Sequence, residues 1–229
     1  MNGLRQAHCV VELAGEPLWL LAHKAVYWPA RKMLIVADIH FGKAAAFRAL
    51  GVPVPRGTTM QNLLALDALL ASYACEEIVF LGDFLHARAA HAAATVAAML
   101  AWRARHPQLR LTVVRGNHDA HAGDPAAALG IAMVEEPHSV GPLSFCHHPD
   151  TVAPGYVLAG HVHPVFHLRA TGSGLHGGGL RLPCFLLGRQ RAILPSFGAF
   201  TGGHAVRPAV GERVYVTADA AIFPLPANC

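Results

Sequence analysis

Five apolar runs in this chain each end on a cluster of metal-type side chains, and no other feature constrains the fold as much. Lys32–Ala37 runs into Asp38-Ile39-His40, Ile78–Leu81 into Gly82-Asp83, and Leu109–Val114, through Arg115, into Gly116-Asn117-His118-Asp119. Leu143–Cys146 runs into His147-His148, and Tyr156–Ala159 into Gly160-His161-Val162-His163. Unbroken apolar runs of this kind read as strands covered on both faces. Ligand sites in open α/β sheets lie beyond the carboxyl ends of the strands, so five polar clusters at five such ends predict one crevice. In Asp38-x-His40 and His161-x-His163, alternate residues leaving a strand are expected on one side. Gly82, Gly116 and Gly160 stand where a sharp turn leaves no room for a Cβ.

The rest of the chain organises around these runs. Helical spacing of Met60, Leu63, Leu64, Leu66 and Leu70 predicts a helix over Thr59–Tyr73; an alanine-rich helix is expected over Ala89–Arg105 and a short one over Pro125–Leu129. Further strands are expected at Trp19–Ala22, Ala25–Trp28, Ile131–Val134, Val165–Arg169, Cys184–Leu187, Arg191–Leu194 and Arg213–Thr217, with Thr171–Gly179 as a hairpin loop. Strand and helix alternate in the first half and strands dominate the second. That pattern predicts α/β architecture, two mixed sheets face to face with helices outside, as one domain over residues 1–229.

Composition removes several alternatives. Of 229 residues, 53% are hydrophobic and 14% charged, well below the usual charged fraction of about 25%, which excludes a disordered chain. Five scattered cysteines without a C-x-x-C pair argue against a disulfide framework or a thiolate zinc knuckle. There is no signal-peptide layout in Met1–Val10 and no membrane-length apolar stretch, so a soluble cytoplasmic protein with no membrane partner is expected. The 16 histidines nearly equal the 18 Lys and Arg together, and neutral imidazole is the commonest metal ligand. A formal charge of +4 permits a polyanionic substrate without requiring one.

Carboxylate, amide oxygen and imidazole without thiolate suit Mn²⁺, Fe or Zn²⁺. Seven ligands with one bridging carboxylate are too many for one ion and would serve two, about 3.5–4 Å apart. The order D-x-H, G-D, G-N-H-D, H, G-H-x-H resembles the calcineurin-like metallophosphoesterase superfamily from Asp38 to His163. DIHFGK (Asp38–Lys43), GVPVPRG (Gly51–Gly57), GDFLH (Gly82–His86) and LPSFGAFTGG (Leu194–Gly203) are similar to the bacterial ligase-associated metallophosphoesterases, DNA-damage-response endonucleases. The resemblance implies a four-layer α/β/β/α fold and a dinuclear centre, with Mn²⁺ first among the metals. On that pattern Asp38, His40 and His163 hold one ion, Asn117, His147 and His161 the other, and Asp83 bridges. Adjacent His147 and His148 point to opposite sides of a strand, so one of them is the ligand; His147 leaves the apolar run directly, and His148 is the alternative.

The expected reaction is phosphate-ester hydrolysis by a metal-bound hydroxide. His118, outside the metal set, is the candidate general acid, and Asp119 is expected to orient it or raise its basicity. His86 is a candidate substrate contact, and Arg48, Arg56 and Arg88 are weaker phosphate clamps set against a surface role. Three functions remain open at this point: a DNA phosphodiesterase or endonuclease in repair, a small-molecule or nucleotide phosphodiesterase or phosphatase, and a non-catalytic scaffold. The intact ligand set and His118 argue against the scaffold, while the motifs do not separate the first two. The resemblance also implies association with a DNA ligase and helicase.

Overall fold

The computed structural model describes residues 6–54, 57–168 and 179–226. The chain opens with β1 (His8–Leu13), β2 (Glu16–Leu21) and β3 (Ala25–Trp28), an antiparallel meander that leads into β4 (Met33–Ala37). Strand and helix then alternate through α1 (Lys43–Ala49), α2 (Thr58–Ser72), β5 (Glu77–Leu81), α3 (Ala93–Arg105), β6 (Arg110–Val114), α4 (Asn117–Ala122) and β7 (Ile131–Val134). The strands β4 to β7 pair in parallel, completing a seven-stranded sheet ordered β1 to β7.

The second sheet holds β8 (His138–Val140), β9 (Leu143–Cys146), β10 (Tyr156–Ala159), β11 (Pro164–Leu168), β12 (Leu180–Leu187), β13 (Arg191–Ile193), β14 (His204–Ala205), β15 (Arg213–Ala218) and β16 (Ala221–Pro224). It runs β14-β11-β12-β13-β10-β9-β8, with β15 beside β12 and β16 beside β15; β9–β10, β10–β13 and β11–β14 are its parallel pairs.

Why the central runs are apolar throughout is visible in β4. Met33, Ile35 and Ala37 face the core between the sheets, against Phe145, Leu158 and Phe185. Leu34 and Val36 face the other way, under the helices, where Leu63, Leu66 and Leu69 of α2 and Met99 and Trp102 of α3 cover them. Each side chain of this size stabilises the fold by about 1.5–3 kcal/mol on burial, so both faces hold the strand in register. In β1, by contrast, Val11 and Leu13 are buried while Val10 and Glu12 are exposed, the alternation of a strand with one wet face.

The α/β class and the two mixed sheets match the expectation. Among the described residues every α-helix lies between Lys43 and Ala122, and α2 and α3 pack on the first sheet. Strand and loop side chains (Phe166, Leu182, Val206 and Leu225) cover the outer face of the second sheet instead. The predicted helix over Ala89–Arg105 is interrupted, because Ala92 is extended (φ −54°, ψ 136°) and separates a 3₁₀ turn at Arg88–His91 from α3. The segment over Pro125–Leu129 forms only a 3₁₀ turn at Ala127–Leu129. Arg56 and most of the Thr171–Gly179 loop (171–178) lie outside the described residues. No helix among them is long and apolar enough to cross a membrane.

Candidate metal centre

Strand register brings the five clusters to one edge. Ala37 pairs with Leu81 and Leu81 with Val114, so β4, β5 and β6 end level, and Asp38, Asp83 and the Gly116-Asn117 turn leave them side by side. In the second sheet Ala159 pairs with Cys146, which sets His147 beside Gly160. A bridge between Ala37 and Ser196 ties the two sheets at this edge, reinforced by Phe197 N–H donating to the Ala37 carbonyl at 2.8 Å.

Two clusters result. In the first, ligand atoms of Asp38, His40, Asp83 and His163 all lie within 4.8 Å of one another; His40 Nε2 and His163 Nε2 are 3.3 Å apart, and Asp38 Oδ1 is 3.4 Å from His163 Nε2. In the second, His147 Nε2 is 2.9 Å from Asn117 Oδ1, 3.0 Å from His161 Nδ1 and 3.5 Å from Asp83 Oδ1. Asp83 stands between them, its Oδ2 3.7 Å from His40 Nε2 and its Oδ1 toward His147. The sequence-predicted set of Asp38, His40, Asp83, Asn117, His147, His161 and His163 is thus gathered in one place.

The donor chemistry fits divalent cations. His147 Nδ1 lies 3.1 Å from the Leu81 carbonyl, which only accepts, so in the neutral ring that nitrogen carries the proton and Nε2 presents a lone pair to the Asn117 oxygen. Two lone pairs face each other there at hydrogen-bond distance, an arrangement a cation resolves. Burial, aided by Lys43 and the neighbouring imidazoles, holds His40 far below its ordinary pKa and therefore neutral, as a ligand must be; its buried Nδ1 has no hydrogen-bond partner among the described residues.

The local backbone departs from the expected alternation along a strand. Asp38 (φ 53°), His40 (51°), Asp83 (48°), His161 (69°) and His163 (50°) are left-handed, a conformation costing about 1–2 kcal/mol for a residue with a Cβ and tolerated best by Asn, Asp and His. These kinks, rather than pleating, turn the side chains inward. Gly82 (φ 73°) is required on a second count, since a Cβ there would overlap the His147 imidazole. At Gly160 a Cβ would stand 2.6 Å from Asp38 Oδ2.

His148 is held differently from His147. Glu136 accepts from the His147 and His148 backbone N–H groups at 2.6 and 2.9 Å, and its Oε1 lies 2.6 Å from His148 Nδ1. These donors outweigh burial and keep the Glu136 carboxyl below its usual value. His147 is fully buried and faces Asn117, while the His148 side chain is 40% exposed at the rim, with a ligand nitrogen still within 4.8 Å of those of His147 and His161.

Asp119 is bonded to backbone amides rather than to His118, its expected partner. Its Oδ1 accepts from Leu85 N–H at 2.8 Å and its Oδ2 from Gly116 and Phe84 N–H at 3.0 and 3.2 Å, and no hydrogen bond joins it to His118. Burial lifts its carboxyl above the ordinary value against these three donors. Asp119 is a buried clamp between the β5 and β6 loops. The group that orients His118 is the His86 carbonyl, 2.8 Å from Nδ1, which leaves His118 Nε2 3.9 Å from Asp83 Oδ2.

His86 itself stacks on His118 at 4.6 Å and packs edge-on to His40; burial, then His118 and Lys43, lower it to about 4. Arg48 and Arg88 are exposed. Residues the sequence did not flag include Glu136 and Asn62, whose buried amide donates to the Ile39 carbonyl and accepts from Ala199 N–H. A buried Asn on the apolar face of α2 was the one available signal for the latter.

Residues 31–142 match the model of the calcineurin-like phosphoesterase family. No curated protein matches the chain. Among solved structures, a crystal structure of the Pseudomonas putida nuclease MPE is 47% identical and superposes with a TM-score of 0.83, covering 95% of this chain and 100% of that one. With two clusters of carboxylate and imidazole at the strand ends of a shared fold, this chain belongs to the calcineurin-like phosphoesterases and is a metal-dependent phosphoester hydrolase.

Proposed function

We propose that this chain is a dinuclear phosphodiesterase that cuts DNA, a single catalytic domain over residues 1–229 acting in the cytoplasm in a repair setting with a DNA ligase and helicase. The observation that carries the two-metal reading is Asp83, which turns one oxygen toward each cluster. Asp38, His40 and His163 would hold one ion and Asn117, His147 and His161 the other. Carboxylate and amide oxygens beside imidazoles favour Mn²⁺, with Fe or Zn²⁺ as alternatives. The likeness to a nuclease at 47% identity supports a nucleic-acid substrate.

When bound, two divalent cations supply an acidified water as nucleophile and offset charge on the phosphoryl oxygens. The remaining work falls to side chains. His118 is locked by the His86 carbonyl so that Nε2 faces the cleft, where its imidazolium form would give a proton to the leaving alkoxide. Its side chain is 38% exposed, enough to meet a bound ester. His86, stacked on His118, limits how that ring can tilt.

The test is elemental analysis of purified protein coupled to hydrolysis of bis(4-nitrophenyl) phosphate and single-stranded DNA. Two metal equivalents per chain, and His118→Ala that keeps both while losing activity by about 10²–10⁴-fold, support the reading. One equivalent, or undiminished turnover by the variant, refutes it. Strong hydrolysis of the small diester without DNA affinity assigns a small-molecule substrate instead.

A further inference from the structure

The LPSFGAFTGG segment supplies no ligand to either cluster, yet it is bound tightly against the first one. Ser196 Oγ donates to the Asp38 carbonyl at 2.8 Å. At Gly198 a Cβ would stand 2.8 Å from the Ile39 carbonyl, and at Gly203 it would stand 2.9 Å from that of His163. Beside this loop is a cavity of about 270 Å³ whose wall includes His163, Lys24, Arg181, Thr201 and Gly202. At roughly 30 Å³ per water, its volume is that of about nine waters, room for a phosphate and part of a sugar.

Two cations from distant parts of the chain meet there. Lys24, left-handed (φ 62°) in the turn between β2 and β3, donates to the Phe197 carbonyl at 2.9 Å. Arg181, on β12, donates to the Gly203 carbonyl. Among the described residues neither has a carboxylate partner. Burial lowers the Lys24 amine to about 8, and an unpaired cation kept in a cavity at such a cost lacks its counter-ion.

We propose that the cavity formed by Lys24, Arg181 and the Gly198–Gly203 loop is an anion subsite that seats the phosphate next to the scissile one on a nucleic-acid strand. The inference rests on the nuclease reading and specifies how that site tells a polymer from a simple ester. His163 is common to the cavity and the first cluster, so an occupant of one adjoins an occupant of the other. Adjoining anions joined by a short linker describe consecutive phosphates of one strand.

The experiment compares kcat/KM on a single-stranded oligothymidylate with that on bis(4-nitrophenyl) phosphate, which carries one phosphate. In Lys24→Met and in Arg181→Met the oligonucleotide-to-ester ratio falls about tenfold, the loss of one charge-assisted contact. The salt dependence of oligonucleotide KM flattens by about 0.7 per contact removed. Lys24→Arg restores the ratio, which separates charge from fold. Equal losses on both substrates, or an unchanged ratio, overturn the proposal. A second arm measures inhibition of ester hydrolysis by thymidine 3′,5′-bisphosphate and thymidine 5′-monophosphate. The wild type prefers the bisphosphate and the variants lose that preference. If the wild type leaves the oligonucleotide intact, the nuclease reading falls, and this inhibitor pair alone decides the subsite; equal preference in wild type and variants refutes it.

Discussion

Replacing Asp119 separates a structural clamp from a catalytic helper. Its carboxylate serves three buried backbone donors, on Gly116, Phe84 and Leu85. A buried donor left without an acceptor costs about 1–3 kcal/mol. Backbone shifts and entering water recover part of this for three donors in one pocket, so the low end of each applies and Asp119→Ala loses about 3 kcal/mol. At an m-value near 3 kcal/mol per molar urea, the upper range for a small protein, the unfolding midpoint falls by about 1 M. Asp119→Asn keeps one acceptor: with oxygen at the Oδ2 place its NH₂ faces Leu85 N–H, and the midpoint falls by about half as much. The assay is urea unfolding of metal-stripped protein followed by tryptophan fluorescence, with turnover measured on the folded fraction. His118→Ala, at a partly exposed side chain, is the contrast, with little loss of stability and a large loss of activity. If Asp119 worked through His118, Asp119→Asn would leave the midpoint in place, lower kcat and move its pH profile. A midpoint unchanged within about 0.2 M with that kinetic pattern would refute the clamp.

Other expected outcomes concern the ligands and the fold around them. Gly82→Ala pairs a left-handed backbone with a Cβ inside the His147 ring, so it lowers stability by more than the 1–2 kcal/mol of backbone strain and reduces the metal content of the purified protein, read by elemental analysis. Glu136→Gln sets an amide NH₂ against donors from His147 and His148 and weakens metal affinity or activity about 10–100-fold; an unchanged metal titration would exclude Glu136 as the support of that loop. Lys24 carries a pH signature. Its folded pKa near 8 lies below the ordinary 10.5, so the unfolded chain binds more protons between those values and stability rises with pH across that window. Urea unfolding of wild type and Lys24→Met at pH 7.5 and 10.5 should show the wild type gaining about 3 kcal/mol relative to the variant; His163 and Arg181, which share the cavity, are present in both. A constant difference would mean that Lys24 is not desolvated.

How much of this was legible in the sequence depends on the distance over which each decision is made. Apolar runs such as Met33–Ala37 announce a strand buried on both faces, because burial of consecutive residues needs cover on both sides and no longer-range information. Asp, His and Asn at the ends of those runs announce a site, because parallel strands in register end level. The interruption of helix at Ala92 and the short β8, β14 and β16 carry no comparable periodicity. The sequence alone therefore determined the class of fold, the sheet faces and which side chains gather at the strand ends. Tertiary structure decided where individual atoms point. His147 faces Asn117 while His148 faces Glu136, Asp119 turns from its neighbour His118 to the amides of Phe84 and Leu85, and Lys24 meets a loop more than 170 positions away. Each of those outcomes is set by hydrogen bonds and burial among segments remote in the chain, and local spacing holds no record of them.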